Sequence, residues 1–135
     1  MNPEPLDLAA VVAAGERLGR ELLAGSVVWL QGPLGAGKTT LVRAIARGRG
    51  VGDEATSPTF GLVHHHHGPR GEIYHVDCFR LRHPDDASDL DWESLTGSDL
   101  LLIEWPERAG AWAPAPAVRI ALSDAGDDLR RLDLR

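Results

Sequence analysis

Lysine is almost absent from this chain. Of its fourteen basic residues thirteen are arginine, and Lys38 stands alone. There is one cysteine, Cys78, so no internal disulfide can form and a reducing, cytoplasmic setting is expected. The lone thiol is expected to pack as a small buried hydrophobe beside Phe79. Aromatic residues are only 5% of the chain, and they are not interleaved with basic residues into a stacking surface for single-stranded nucleic acid. No apolar run reaches the ~18 residues of a membrane span, so no membrane association is expected. The opening residues MNPEP carry neither a basic n-region nor an apolar h-region, and no secretory signal is expected. A formal charge of −6 argues against a protein that grips nucleic acid alone by neutralising phosphates. Any RNA would be met through a partner that supplies the basic surface.

What is present suits one soluble core. At 135 residues, with 43% hydrophobic and 25% charged side chains, a single α/β domain spanning 1–135 is expected. Leu8, Val11, Val12, Gly15, Leu18, Gly19 and Leu22 recur at helical spacing behind Asp7, a good N-cap. Residues 26–30 read as a buried strand. Leu41, Val42, Ile45 and Ala46 mark a second helix, closed at Gly48 or Gly50. Residues 60–63 and 72–76 read as strands around a loop at 64–71, and 84–96 as an acidic, weakly helical stretch. LLLI at 100–103 is apolar throughout, as a central parallel strand covered on both faces would be. After a proline-rich stretch at 106–116, alternation at Val118, Ile120 and Leu122 and again at Leu132 and Leu134 predicts a terminal hairpin turning at 124–127.

Between the first strand and the second helix lies GPLGAGKT, residues 32–39. It fits G-x-x-x-x-G-K-[ST], the phosphate-binding P-loop, in the strand–turn–helix context that the motif requires. Gly32, Gly35 and Gly37 allow the backbone, Ala36 included, to curl so that successive N–H groups meet a β-phosphate at a helix N-terminus. Lys38 would bridge β- and γ-phosphates, the Thr39 hydroxyl would ligate Mg²⁺, and Thr40 would lie near the α-phosphate. The motif keeps a compact ammonium where a planar guanidinium fits poorly.

Hydrolysis also needs carboxylates at neighbouring strand ends. Glu104 follows the apolar strand in the manner of a Walker B segment, and Asp77 follows the strand at 72–76. One would serve the metal, directly or through water, and the other the γ-phosphate; the alternative for each is a solvated acid at the sheet edge. The segment TSPTF at 56–60, stiffened by Pro58, is either a switch that brings Ser57 or Thr59 to the γ-phosphate and metal, or a polar turn. Guanine readers of the N-K-x-D type need a second lysine, which does not exist here. The base is therefore adenine or is read loosely, and ATP is the expected nucleotide.

GPLGAGKTT at 32–40, TSPTF at 56–60, YHVD at 74–77 with FRL at 79–81, and IEWPER at 103–108 together resemble the TsaE (YjeE) family. These are small P-loop ATPases of bacterial threonylcarbamoyladenosine (t6A) synthesis on tRNA. The resemblance covers nearly the whole chain. It implies a three-layer P-loop NTPase fold with a mostly parallel central sheet and a C-terminal β-hairpin. Thr39 and Glu104 then correspond to the Mg²⁺ ligands, Asp77 to the acid needed for hydrolysis and Trp105 to a tryptophan beside the nucleotide. His75 matches a family histidine, either structural or behind the site. TsaD-like and TsaB-like proteins are the implied partners, and tRNA is met only through that complex. Pro33 departs from the acidic residue often found there, and residues 85–93 keep only the family's polarity.

His64, His65, His66 and His67 belong to no family motif. Such a run either alternates between two sheet faces or lies in a loop. Neither arrangement makes four imidazoles converge on one tetrahedral ion, and a solvated loop is expected. Arg80, Arg82 and Arg108 suit phosphate or tRNA contact or plain solvation. The main rival to the ATPase reading is a small-molecule kinase of shikimate- or nucleoside-kinase type, although 135 residues leave little room for an acceptor pocket and lid.

Overall fold

Hydrophobic alternation sorts the side chains of each central strand onto two faces, and both faces are covered. The computed structural model describes residues 3–33, 35–52, 56–57 and 62–135, and of Thr56 and Ser57 only the backbone. Along β5 (Leu100–Glu104) the residues Leu100 and Leu102 enter one core while Leu101 and Ile103 enter the other. All four are at most 1% exposed. Each contributes about 1.5–3 kcal/mol by burial.

Among the described residues, seven strands form one sheet in the order β2-β3-β4-β5-β1-β6-β7. The middle four, β4 (Gly71–Asp77), β5, β1 (Ser26–Gln31) and β6 (Val118–Gly126), are parallel. The flanks β2 (Thr56–Ser57), β3 (Val63–Gly68) and β7 (Leu129–Leu134) pair antiparallel. Helices α1 (Leu8–Glu21) and α2 (Lys38–Gly48) cover one face with Val11, Leu41 and Ile45. The other face is covered by the 3₁₀ segments Pro84–Asp89 and Pro106–Trp112 and the short α3 (Trp92–Thr96), through Ala87, Leu95 and Ala109. This is the three-layer arrangement that the sequence predicted, with the P-loop between β1 and α2.

Local signals explain the helix ends. The Asp7 carboxylate accepts from the N–H of Ala10 at 2.8 Å, the expected N-cap. At the close of α2, Gly50 donates back to Arg47 O and Val51 to Ala46 O, which satisfies carbonyls the helix leaves open. Of the strand expected at 60–63, residues 60 and 61 lie outside the described residues and β3 begins only at Val63; two other expectations shift. Residues 64–67, expected as loop, are the middle of β3, because strand pairing with β4 holds them whatever their side chains. The terminal turn falls at Asp127 and Asp128, both left-handed (φ 51° and 61°), as a two-residue hairpin turn of type I′ requires. The glycine read as part of that turn, Gly126, instead follows an irregularity within β6.

One buried ion pair had no sequence signal. Arg49 donates to both oxygens of Asp99, at 2.9 and 2.7 Å, and also to Gly19 O and Leu22 O. The two side chains are 1% and 2% exposed. The guanidinium therefore ties the ends of α1 and α2 to the entrance of β5. Arg49→Met strands a buried carboxylate and is expected to cost about 3–5 kcal/mol, read as a lower urea midpoint with an unchanged slope. A loss below about 1 kcal/mol would mean that the pair contributes no more than a surface one.

Candidate functional site

Three parallel strands end side by side, and their last residues set the site. Register pairs Asp77 with Glu104 and Leu30 with Glu104, so the carboxyl ends of β4, β5 and β1 line one rim. Ligands of open α/β sheets bind at such rims. From β1 the chain passes Gly32 into the loop and re-enters helix at Lys38. Gly37 caps that helix at φ 100°, a conformation that side chains other than glycine rarely adopt. A Cβ on Gly32 would lie 2.4 Å from Leu122 O, so β6 itself forbids a side chain there.

The lysine is inside, only 5% exposed. Its ammonium donates to Gly32 O at 2.6 Å and Pro33 O at 2.8 Å, and sits 4.5 Å from the centre of the Trp105 ring. Burial holds its pKa below the ordinary lysine range, opposed by the negative charges of Glu104, Asp77 and Glu107. The loop thus keeps a cation folded against its own carbonyls.

Glu104 is 3% exposed and has a partner on each side. Oε1 lies 3.5 Å from Thr39 Oγ1, and Oε2 lies 2.5 Å from Nε2 of His75, which is buried. His75 is two residues before Asp77 on β4 and so shares its face. The sequence left open whether this histidine was structural or behind the site; it grips the carboxylate that Thr39 faces. Asp77 is half-buried, and its Oδ1 accepts from the N–H of Phe79 at 3.0 Å.

Gly35, Gly37, Lys38, Thr39, Asp77, Phe79, Glu104 and Trp105 line one cavity of about 190 Å³. Trp105 closes it from a left-handed backbone (φ 55°, ψ 48°), strain of about 1–3 kcal/mol that in proteins clusters at functional sites. The ring is clamped by Phe79, centroids 5.2 Å apart, and by Arg108, whose guanidinium lies 5.0 Å above it and donates to Phe79 O at 2.7 Å. Phe79 was not singled out as a site residue from sequence; its place in YHVD-x-F was the available signal.

Ala36 buries its side chain in the core and gives its N–H to Pro33 O at 3.1 Å. Thr40 is half-buried on α2 and lines neither this cavity nor its neighbour. That neighbour, about 540 Å³, shares Thr39 and runs between Arg43 and Arg47 of α2 and His64, His66 and His75 of the sheet. Burial and the surrounding imidazoles lower the pKa of His66. Ser57 takes part in β2 through its backbone, opposite His65, and its side chain lies outside the described structure. Thr59 lies outside the described residues. Cys78 is fully buried with its thiol pushed up to about 12, first by burial and then by Asp77 and Glu107, which makes it an inert core residue.

The donors suit a hard cation. A hydroxyl and a carboxylate that meet only at 3.5 Å are oxygen ligands of the kind Mg²⁺ takes in nucleotide sites. Cβ atoms on Gly35 and Gly37 would point into open space, so the loop's missing side chains leave room beside Lys38.

Comparison with known proteins agrees along nearly the whole chain. The sequence profile described as "Threonylcarbamoyl adenosine biosynthesis protein TsaE" matches residues 6–132. A protein of Treponema pallidum called tRNA threonylcarbamoyladenosine biosynthesis protein TsaE is 42% identical over 119 residues, covering 87% of each chain. One of the same name from a Nostoc species is 33% identical over 133 residues, covering 95% of this chain and 81% of the relative. Among solved structures, Bacillus subtilis YdiB superposes with a TM-score of 0.76 at 25% identity, covering 94% of this chain and 78% of that one.

Proposed function

The chain belongs to the TsaE family of threonylcarbamoyl adenosine biosynthesis proteins, and from that premise we propose that it is a Mg²⁺-dependent ATPase serving t6A formation on tRNA. Its relatives are named for tRNA threonylcarbamoyladenosine biosynthesis. The observation that carries the catalytic part is the meeting of Lys38, Thr39, Asp77 and Glu104 in one cavity at the ends of three parallel strands.

Each residue has a task that its position supports. The N–H groups of the loop and the start of α2 receive the phosphates, and Lys38 exchanges two carbonyl oxygens for phosphate oxygens. Thr39 and Glu104 would hold Mg²⁺, which when bound would offset phosphate charge. Asp77, less buried and facing the same cavity, orients the attacking water or its proton. His75 fixes the rotamer of Glu104. Trp105 shields Lys38 from solvent, so that the ammonium acts at low dielectric.

A charge of −6 favours indirect access to tRNA, with TsaD-like and TsaB-like proteins providing the transfer chemistry and the RNA surface. Phosphate release from Mg-ATP tests the proposal, measured with the chain alone and with those partners. Slow release alone and faster release in the complex are expected. Rapid phosphoryl transfer to a small alcohol, indifferent to the partners, would overturn it in favour of a kinase.

A further inference from the structure

None of the four histidines at 64–67 lines the cavity of Lys38 and Thr39. Because the run occupies β3, its imidazoles alternate. His64 and His66 face α2, where His64 stacks on His75 at 5.3 Å. His65 and His67 face the other way. Directly across the hairpin from His67 stands Glu72, and its Oε2 meets both His65 Nε2 and His67 Nδ1, the latter at 2.8 Å. Among the described residues this is a group of three metal-ligand types with one donor atom each, all within 4.8 Å of one another.

We propose that His65, His67 and Glu72 form a binding site for a zinc-class divalent ion, with a fourth position open to solvent. Two imidazoles and one carboxylate are a recurrent zinc set, with bonds of about 2.0–2.2 Å, which places neighbouring ligand atoms about 3.4 Å apart. The observed spread needs only small side-chain rotations to reach that. The backbone is already fixed. β3 is hydrogen-bonded to β2 on one side and β4 on the other, so the directions of His65 and His67 are set by the pleat. Tyr74 stacks on His65 at 4.4 Å with 10° between the planes and holds that ring edge-on to the site. The ligands span the two strands close to the turn at Pro69 and Arg70, so a bound ion cross-links the hairpin whose second strand ends at Asp77. Four histidines cannot form the site, because two face the wrong way; the hairpin supplies the third ligand from Glu72.

The test is calorimetric titration of Zn²⁺ into the metal-stripped full chain without nucleotide, in buffer containing Mg²⁺. One ion per chain is expected. His65→Ala, His67→Ala and Glu72→Gln should each weaken binding by about tenfold or more, while His64→Ala and His66→Ala leave it unchanged. Melting curves establish that each variant is folded. In the unmodified chain, Zn²⁺ should shift the imidazole NMR signals of His65 and His67 and spare those of His64 and His66. No saturable binding, equal weakening by all four histidine variants, full affinity in Glu72→Gln, or equal shifts of all four imidazoles would each overturn the proposal.

Discussion

Lys38→Ala is expected to weaken ATP binding by about 10- to 150-fold. Hydrogen bonds to charged groups contribute about 1.5–3 kcal/mol, and each 1.4 kcal/mol is a factor of about ten in Kd. The variant loses function with binding, since the positioned charge acts before and during the reaction. Two further observations sharpen the expectation. Lys38 is 5% exposed and already satisfied by Gly32 O and Pro33 O. A general amine reagent should therefore reach it slowly, whereas an amine-reactive ATP analogue should label it and excess ATP should protect it. Lys38→Arg should not restore affinity, because a planar fork cannot replace one ammonium held by two carbonyls beneath Trp105. Titration of each variant with a non-hydrolysable ATP analogue decides the matter, with melting curves to check the fold. Undiminished affinity in Lys38→Ala would show that the loop does not use its lysine for nucleotide.

The parts of the site that were legible in the sequence are those written in short-range chemistry. The P-loop announces itself by glycine spacing and one lysine, and β5 by four apolar residues followed by Glu104. Asp77 could be paired with Glu104 in advance because both follow strands. What the sequence could not give depended on register or on distant contacts. That His75 meets Glu104 follows from β4 and β5 being parallel neighbours, with His75 opposite Leu102, which no local pattern encodes. The strand through His64, His65, His66 and His67 was hidden because histidine has no apolar period to read, and its pairing with β4 is what orders it. Arg49 and Asp99 are fifty residues apart and look like ordinary surface charges until the fold buries them.

Glu104→Gln should lower the rate of hydrolysis by about 100- to 1000-fold, the range for removing one preorganised electrostatic contact from a transition state. Its effect on ATP affinity should be far smaller, since the phosphates are still met by the loop and Lys38. The amide keeps the shape of the side chain and loses its charge. Any Mg²⁺ shared with Thr39 is then held less firmly, and raising Mg²⁺ should recover part of the rate. Asp77→Asn is the right companion, because asparagine retains an oxygen for the Phe79 N–H and so preserves the turn, while Asp77→Ala would confuse charge with conformation. It should slow hydrolysis without responding to Mg²⁺ if Asp77 serves the water. His75 distinguishes positioning from reaction. With its ring gone, Glu104 loses the contact on Oε2 but keeps its charge, so His75→Ala should cost less than Glu104→Gln and His75→Gln should recover part of the loss. Measuring kcat and Kd for all four variants at low and high Mg²⁺ separates these roles. If Glu104→Gln lost affinity as much as rate, the carboxylate would be a structural element of the pocket and the hydrolytic assignment would fall with it.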